Sequence, residues 1–101
     1  MFQLGVTFTV NRIALKRMLT VLSLSERSID ELLANLNRMH RHVNAVAFAG
    51  MLQRLGLKSE YIANVLRRIG IDDITISSIF NMLDEERIKS AYGRIVEIHV
   101  E

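Results

Sequence analysis

Residues 44–70 read NAVAFAGMLQRLGLKSEYIANVLRRIG, and this stretch decides the fold. Asn44 suits an N-cap, and Ala45 to Leu55 follows as a helix that is apolar on all sides. Such a helix is either the centre of a core or part of a subunit interface. Gly56 breaks the pattern, and Ser59 opens a second helix that runs to Ile69 with Ile62, Val65, Leu66 and Ile69 inward. Gly70 stops it.

Toward the N-terminus the helical pattern continues. Ile29, Leu32, Leu33, Leu36, Met39 and Val43 form one apolar stripe, with Arg38, His40, Arg41 and His42 in the last turn where cations complement the helix dipole. Ser23-Leu24-Ser25-Glu26 matches a capping box in front of that helix. Asn11 caps a helix from Arg12 to about Leu22, for which Ile13, Met18, Leu19 and Leu22 are the expected buried residues. Toward the C-terminus, Asp72 or Asp73 begins a short helix to about Leu83. Asp84, Glu85 and Glu86 sit where acids belong at the start of a sixth, which Gly93 ends.

The two ends differ from the middle. Phe2, Leu4, Val6, Phe8 and Val10 alternate with Gln3, Gly5, Thr7 and Thr9, and Val96, Ile98 and Val100 alternate with Glu97, His99 and Glu101. Period two reads as a half-buried strand. The expected fold is therefore mainly α: a compact bundle of five to six short helices with one strand at each terminus, the strands pairing with each other or across a dimer. At 101 residues, with 50% hydrophobic and 24% charged, the chain reads as a single domain spanning 1–101.

Met18–Leu36 laid over Met51–Ile69 matches at Met18/Met51, Leu19/Leu52, Leu22/Leu55, Leu24/Leu57, Ile29/Ile62 and Leu33/Leu66. Every match is apolar, so the echo is read as two helical hairpins sharing a burial template rather than as a duplication.

Charge is split along the chain. Residues 1–70 carry ten Lys/Arg and four acids, a balance of +6, while residues 71–101 carry three and seven, a balance of −4. A basic front implies an anionic partner, or a second copy docking head to tail. With no cysteine there is neither a disulfide nor a thiolate metal site. His40 and His42 are two apart on an expected helix and point to different sides, and His99 stands alone on its strand, so no metal or other cofactor is expected. No Gly-rich phosphate loop, Gly-x-Ser-x-Gly or cysteine nucleophile is present, and the chain is read as a non-enzyme. No secretory signal and no membrane span is read, which makes the cytoplasm the expected location.

Residues 48–69 fit a helix-turn-helix: Gly56 at the turn, Leu57 as the apolar turn residue, Ile62 and Val65 pinning the second helix. Leu52 departs from the pattern by standing where a small residue usually lets the helices touch. Lys58, Ser59, Glu60, Asn64, Arg67 and Arg68 then face outward. Arg38, Arg41 and Lys58 are the expected phosphate contacts, and Ser59, Asn64, Arg67 and Arg68 the expected contacts to bases or backbone. A strand followed by two helices over residues 2–36, with Gln3, Thr7 and Thr9 on the polar face, resembles ribbon-helix-helix DNA-binding proteins. That resemblance implies two copies pairing their strands in the major groove; pairing with the C-terminal strand or a symmetry mate is the preferred reading of β residues here. The function expected is that of a small homodimeric protein binding duplex DNA, of transcriptional-regulator or architectural type. The alternative is a protein–protein interaction or assembly subunit that oligomerises through Ala45–Leu55 and its charge-split surface.

Overall fold

The computed structural model describes residues 6–84 and 96–101. In chain order its elements are β1 (Val6–Val10), α1 (Arg12–Val21), α2 (Glu26–Arg38), β2 (His42–Asn44), α3 (Ala45–Arg54), α4 (Ser59–Ile69), α5 (Asp73–Asp84) and β3 (Val96–Val100). Helices dominate, and the three strands form one small sheet. The proposed start of a sixth helix at Asp84 falls on the last residue of α5. Its remainder, like strand residues 2–5, lies outside the described residues.

Side-chain caps set where the helices begin. Asn11 Oδ1 accepts from the amides of Ile13 (2.7 Å) and Ala14 (3.3 Å), and Asn44 Oδ1 accepts from the amide of Val46 at 2.7 Å. Ser25, not Ser23, caps α2, its Oγ accepting from the Ser28 amide at 3.1 Å. Ser23 instead adopts φ 70° and makes the turn between α1 and α2. Asp72 caps α5 by accepting from the Thr75 amide at 2.8 Å, and the Thr75 hydroxyl and amide hold its carboxyl below the ordinary 3.8.

The terminal strands pair with each other, in parallel, from Val6↔Val96 to Val10↔Val100. A third strand joins them: β2 runs antiparallel to β3, and the sheet order is β1-β3-β2. The sequence reading placed Met39 and Val43 on the stripe of α2, but the helix ends at Arg38. His40 and Arg41 take φ 58° and 62°, which turns the chain out of the helix and into β2. Val43 is buried all the same, from the sheet. Three residues are too few to show a period of two, and Val43 fits both patterns.

The 33-residue echo extends well beyond the apolar matches. Shifting α1 by 33 gives the bounds of α3, and shifting Glu26 gives Ser59, the first residue of α4. The caps Asn11 and Asn44 coincide, as do the turn residues Ser23 (φ 70°) and Gly56 (φ 98°). Backbone hydrogen bonds repeat too: Leu22 N to Met18 O and Leu55 N to Met51 O, both 3.2 Å; Leu24 N to Leu19 O at 3.1 Å and Leu57 N to Leu52 O at 3.2 Å. A shared burial template accounts for apolar spacing, not for caps, turns and strands in the same order. The chain contains one strand–helix–turn–helix unit twice.

The sheet shows how the two units are related. Thr9 and His42, 33 apart, pair with His99 from opposite sides, and β1 and β2 run in opposite directions. A two-fold axis normal to the sheet through His99 relates the two strands. It also carries the pairing Val10↔Val100 onto Val43↔Ile98.

The buried residues form one cluster that includes Leu15, Leu19, Phe48, Leu52, Ile62, Leu66 and Ile98. Leu15, Leu19, Ile29 and Leu32 and their counterparts Phe48, Leu52, Ile62 and Val65 are buried alike in both units, and the largest difference lies on one helix face. Ala45, Val46 and Ala49 of α3 are buried, and a Cβ on Gly50 would stand 3.5 Å from Leu83 of α5. The same positions of α1 are Arg12, Ile13, Lys16 and Arg17, all exposed. Thus α3 is the central core helix of its own chain. Ile13, expected inside, is 63% exposed, and Leu15 is buried in its stead.

Candidate nucleic-acid interface

Over the residues read as a helix-turn-helix, α3 and α4 are two helices joined by a turn, with Gly56 in the left-handed region at the turn and Leu57, Ile62 and Val65 buried. Leu52, standing where the pattern has a small residue, is fully buried in the core. Gly70, at φ 117°, ends α4 by donating its amide to Arg67 O at 3.0 Å. The outer face of α4 exposes Lys58, Ser59, Glu60, Tyr61, Asn64, Arg67 and Arg68.

Helix α1 lies beside that face, and a cleft of about 580 Å³ opens between α1 and α4. Ala14, Met18, Val21, Leu22 and Val65 give it an apolar floor. Arg17, Arg67 and Arg68 supply three guanidiniums around it, Asn64 joins them, and among the described residues no carboxylate lines it. Arg67 is held in place: its Nε donates to Asp73 Oδ1 and its Nη1 to Asn64 Oδ1, both at 3.0 Å. Among the described residues Arg17 and Arg68 make no ion pair. A guanidinium presents donors in a planar fork that fits phosphate and carboxylate oxygens two at a time.

The structure thus brings together Asn64, Arg67 and Arg68 of the residues expected from sequence, and adds Arg17. Lys58 and Ser59 share the helix but stand at its start, about 13 Å along the axis from Arg67. Arg38 and Arg41 do not line the cleft. Arg38 bonds to the side chain of Asn35, one turn back on α2. The Arg41 carbonyl accepts from the Val100 amide at 2.9 Å, which fixes this residue beside the sheet. The four basic residues 38, 40, 41 and 42, expected in one helix turn, are divided among helix end, turn and strand.

Arg17 was legible only by comparing the two units, where it stands opposite Gly50. At the positions equivalent to the cleft, the apolar residues recur: Ala14/Ala47, Met18/Met51, Leu22/Leu55 and Val65/Leu32. The cations do not. Arg17, Arg67 and Arg68 correspond to Gly50, Ala34 and Asn35, Asn64 to Glu31, and Val21 to Arg54. The formal charge is +3 on one side and zero on the other.

The histidines also gather in a way the sequence did not reveal. On the outer face of the sheet His42 and His99 are register partners with ring centroids 4.6 Å apart, and His42 Nδ1 lies 3.3 Å from Glu97 Oε1. His99 Nδ1 is buried without a hydrogen-bond partner among the described residues. Among those residues no group of three His, Asp or Glu side chains is arranged to hold a metal ion. Likewise, no described helix is long and apolar enough to cross a membrane.

Comparison with known protein families, curated proteins and solved structures finds no match.

Proposed function

We propose that this chain is a non-enzymatic, cytoplasmic DNA-binding protein, a transcriptional regulator or architectural factor, that approaches duplex DNA with α4. One observation supports the reading: among the described residues Arg17 of α1 and Arg67 and Arg68 of α4 gather three guanidiniums in one cleft beside α4, only Arg67 of them paired with a carboxylate, and the equivalent positions Gly50, Ala34 and Asn35 carry no charge. Helices of this kind enter the major groove with their early residues toward base edges. Ser59 and Asn64 are the candidates for bases. Arg17, Arg67, Arg68 and Lys58 serve phosphates, which supply most of the affinity and none of the sequence information. Arg38 and Arg41 then belong to the periphery. A homodimer joined through the outer edge of β1 would place two copies of α4 on one duplex, because an open strand edge is a ready template for pairing.

Fluorescence anisotropy of a labelled 30-mer duplex tests this. Affinity is expected to fall steeply with salt, and to fall about tenfold or more in Arg17→Ala/Arg68→Ala while Arg38→Ala/Arg41→Ala changes it less than about threefold. Equal losses in the two double variants would remove α4 as the binding element. No binding at micromolar protein in low salt would remove DNA. The stoichiometry of the saturated complex, two chains per site, tests the dimer.

A further inference from the structure

The cleft between α1 and α4 is more than a cationic surface, because its floor is apolar. Phosphate recognition needs the guanidiniums but has no use for Met18, Val21, Leu22 and Val65 beneath them. Val21, one of these lining residues, is an apolar side chain 80% exposed to water. We propose that this cleft binds a small amphipathic anion, a carboxylate carried on an aliphatic or aromatic body.

Two independent features select that chemistry. The first is the pairing of charge with apolar surface in one open cleft of about 580 Å³, within the size range of small-molecule sites. A purely polar anion would leave the floor wet, and a neutral hydrocarbon would leave Arg17 and Arg68 without a counter-charge. The second is the internal comparison. Four of the five floor residues recur at the equivalent positions, as Ala47, Met51, Leu55 and Leu32, where helix packing common to both units accounts for them, while Val21 is replaced by Arg54. The arginines recur nowhere, so helix packing does not account for them. Arg17 and Arg68 are the groups that would grip the carboxylate, since Arg67 already donates to Asp73 and Asn64.

Ligand and duplex draw on the same arginines, so they compete; this coupling, unlike the site itself, rests on the DNA-binding reading. An amphipathic anion in the cleft would release the protein from DNA.

The test is a nitrogen–proton NMR titration of the full chain with sodium octanoate, with acetate as the anion lacking a body and octyltrimethylammonium as the body with the opposite charge. Saturable shifts confined to α1 and α4, with a Kd below about 1 mM, are expected for octanoate alone. Arg17→Gln/Arg68→Asn, at two exposed positions, should weaken it at least tenfold with the rest of the spectrum unchanged. Equal binding by this variant, equal binding by acetate or by the cation, shifts centred elsewhere, or none at about 10 mM octanoate would each overturn the site. Octanoate added to the duplex complex separates the two readings. Displacement supports the coupling, whereas octanoate binding with duplex affinity unchanged removes the coupling and leaves the site. A chain that binds octanoate and no duplex at all strikes the DNA reading alone.

Discussion

Asn11 and Asn44 do the same work 33 residues apart, each ending a strand and starting a helix with one carboxamide oxygen. Replacing either by Ala should cost about 1 kcal/mol, the usual loss for such a cap, measured by urea denaturation. The turn residues differ in what they tolerate. Gly56 and Gly70 both have positive φ, but a Cβ at Gly56 meets nothing within 4 Å, whereas at Gly70 it meets the Phe8 ring at 3.5 Å. The first unit already places Ser23 at the position equivalent to Gly56. Gly56→Ser should therefore cost no more than about 1–2 kcal/mol, the strain of a left-handed backbone, and Gly70→Ser more than that, because its φ of 117° lies farther from the left-handed well than the 98° of Gly56, the Phe8 contact being an ordinary one. Equal midpoints for the two variants in a thermal melt would contradict this. His40 and Arg41 bear left-handed strain of the same kind without being glycine, which ties the end of α2 to the start of β2.

At the scale of elements, α1 and α3 show how one helix is adapted to two surroundings. The shared face holds Leu15 and Leu19 in one helix and Phe48 and Leu52 in the other, all fully buried. The divergent face is solvent-facing and cationic on α1 but small and apolar on α3, where α5 packs. Ala49→Lys should cost at least about 3 kcal/mol by forcing an ammonium into a site 0% exposed, while Lys16→Ala at the matching position should stay within about 0.5 kcal/mol. Differential scanning calorimetry separates these outcomes. Helix positions were legible in the sequence because Asn, Ser, Gly and apolar spacing mark them locally; α4 runs from Ser59 to Ile69 as read. β2 was not legible, since a three-residue strand exists only through its partner 55 residues away. Half of the cleft was equally hidden. Asn64, Arg67 and Arg68 follow from helical periodicity, but Arg17 joins them only because the fold sets α1 and α4 on either side of one cleft, which no local pattern encodes.

On the scale of the whole molecule, the two units meet at β3, which lies between β1 and β2 and donates the Val100 amide to Arg41 and the Glu101 amide to Val10. Ile98 and Val100 fill the core between the units. Deleting residues 96–101 should abolish the cooperative unfolding transition while leaving helical circular dichroism, since each unit keeps its own helix pair but loses what joins it to the other. A truncated chain that melts cooperatively near the wild-type midpoint would contradict the central place given to β3.

The middle strand of the sheet is also the last to be made. A ribosome adding about 5–20 residues per second needs roughly 3–10 s to travel from the codons of β2 to those of β3. Throughout that interval the nascent chain carries β1 and β2 without the strand that pairs with both. The fold therefore closes from its C-terminal end, in one late step that zips both units onto a strand neither of them contains.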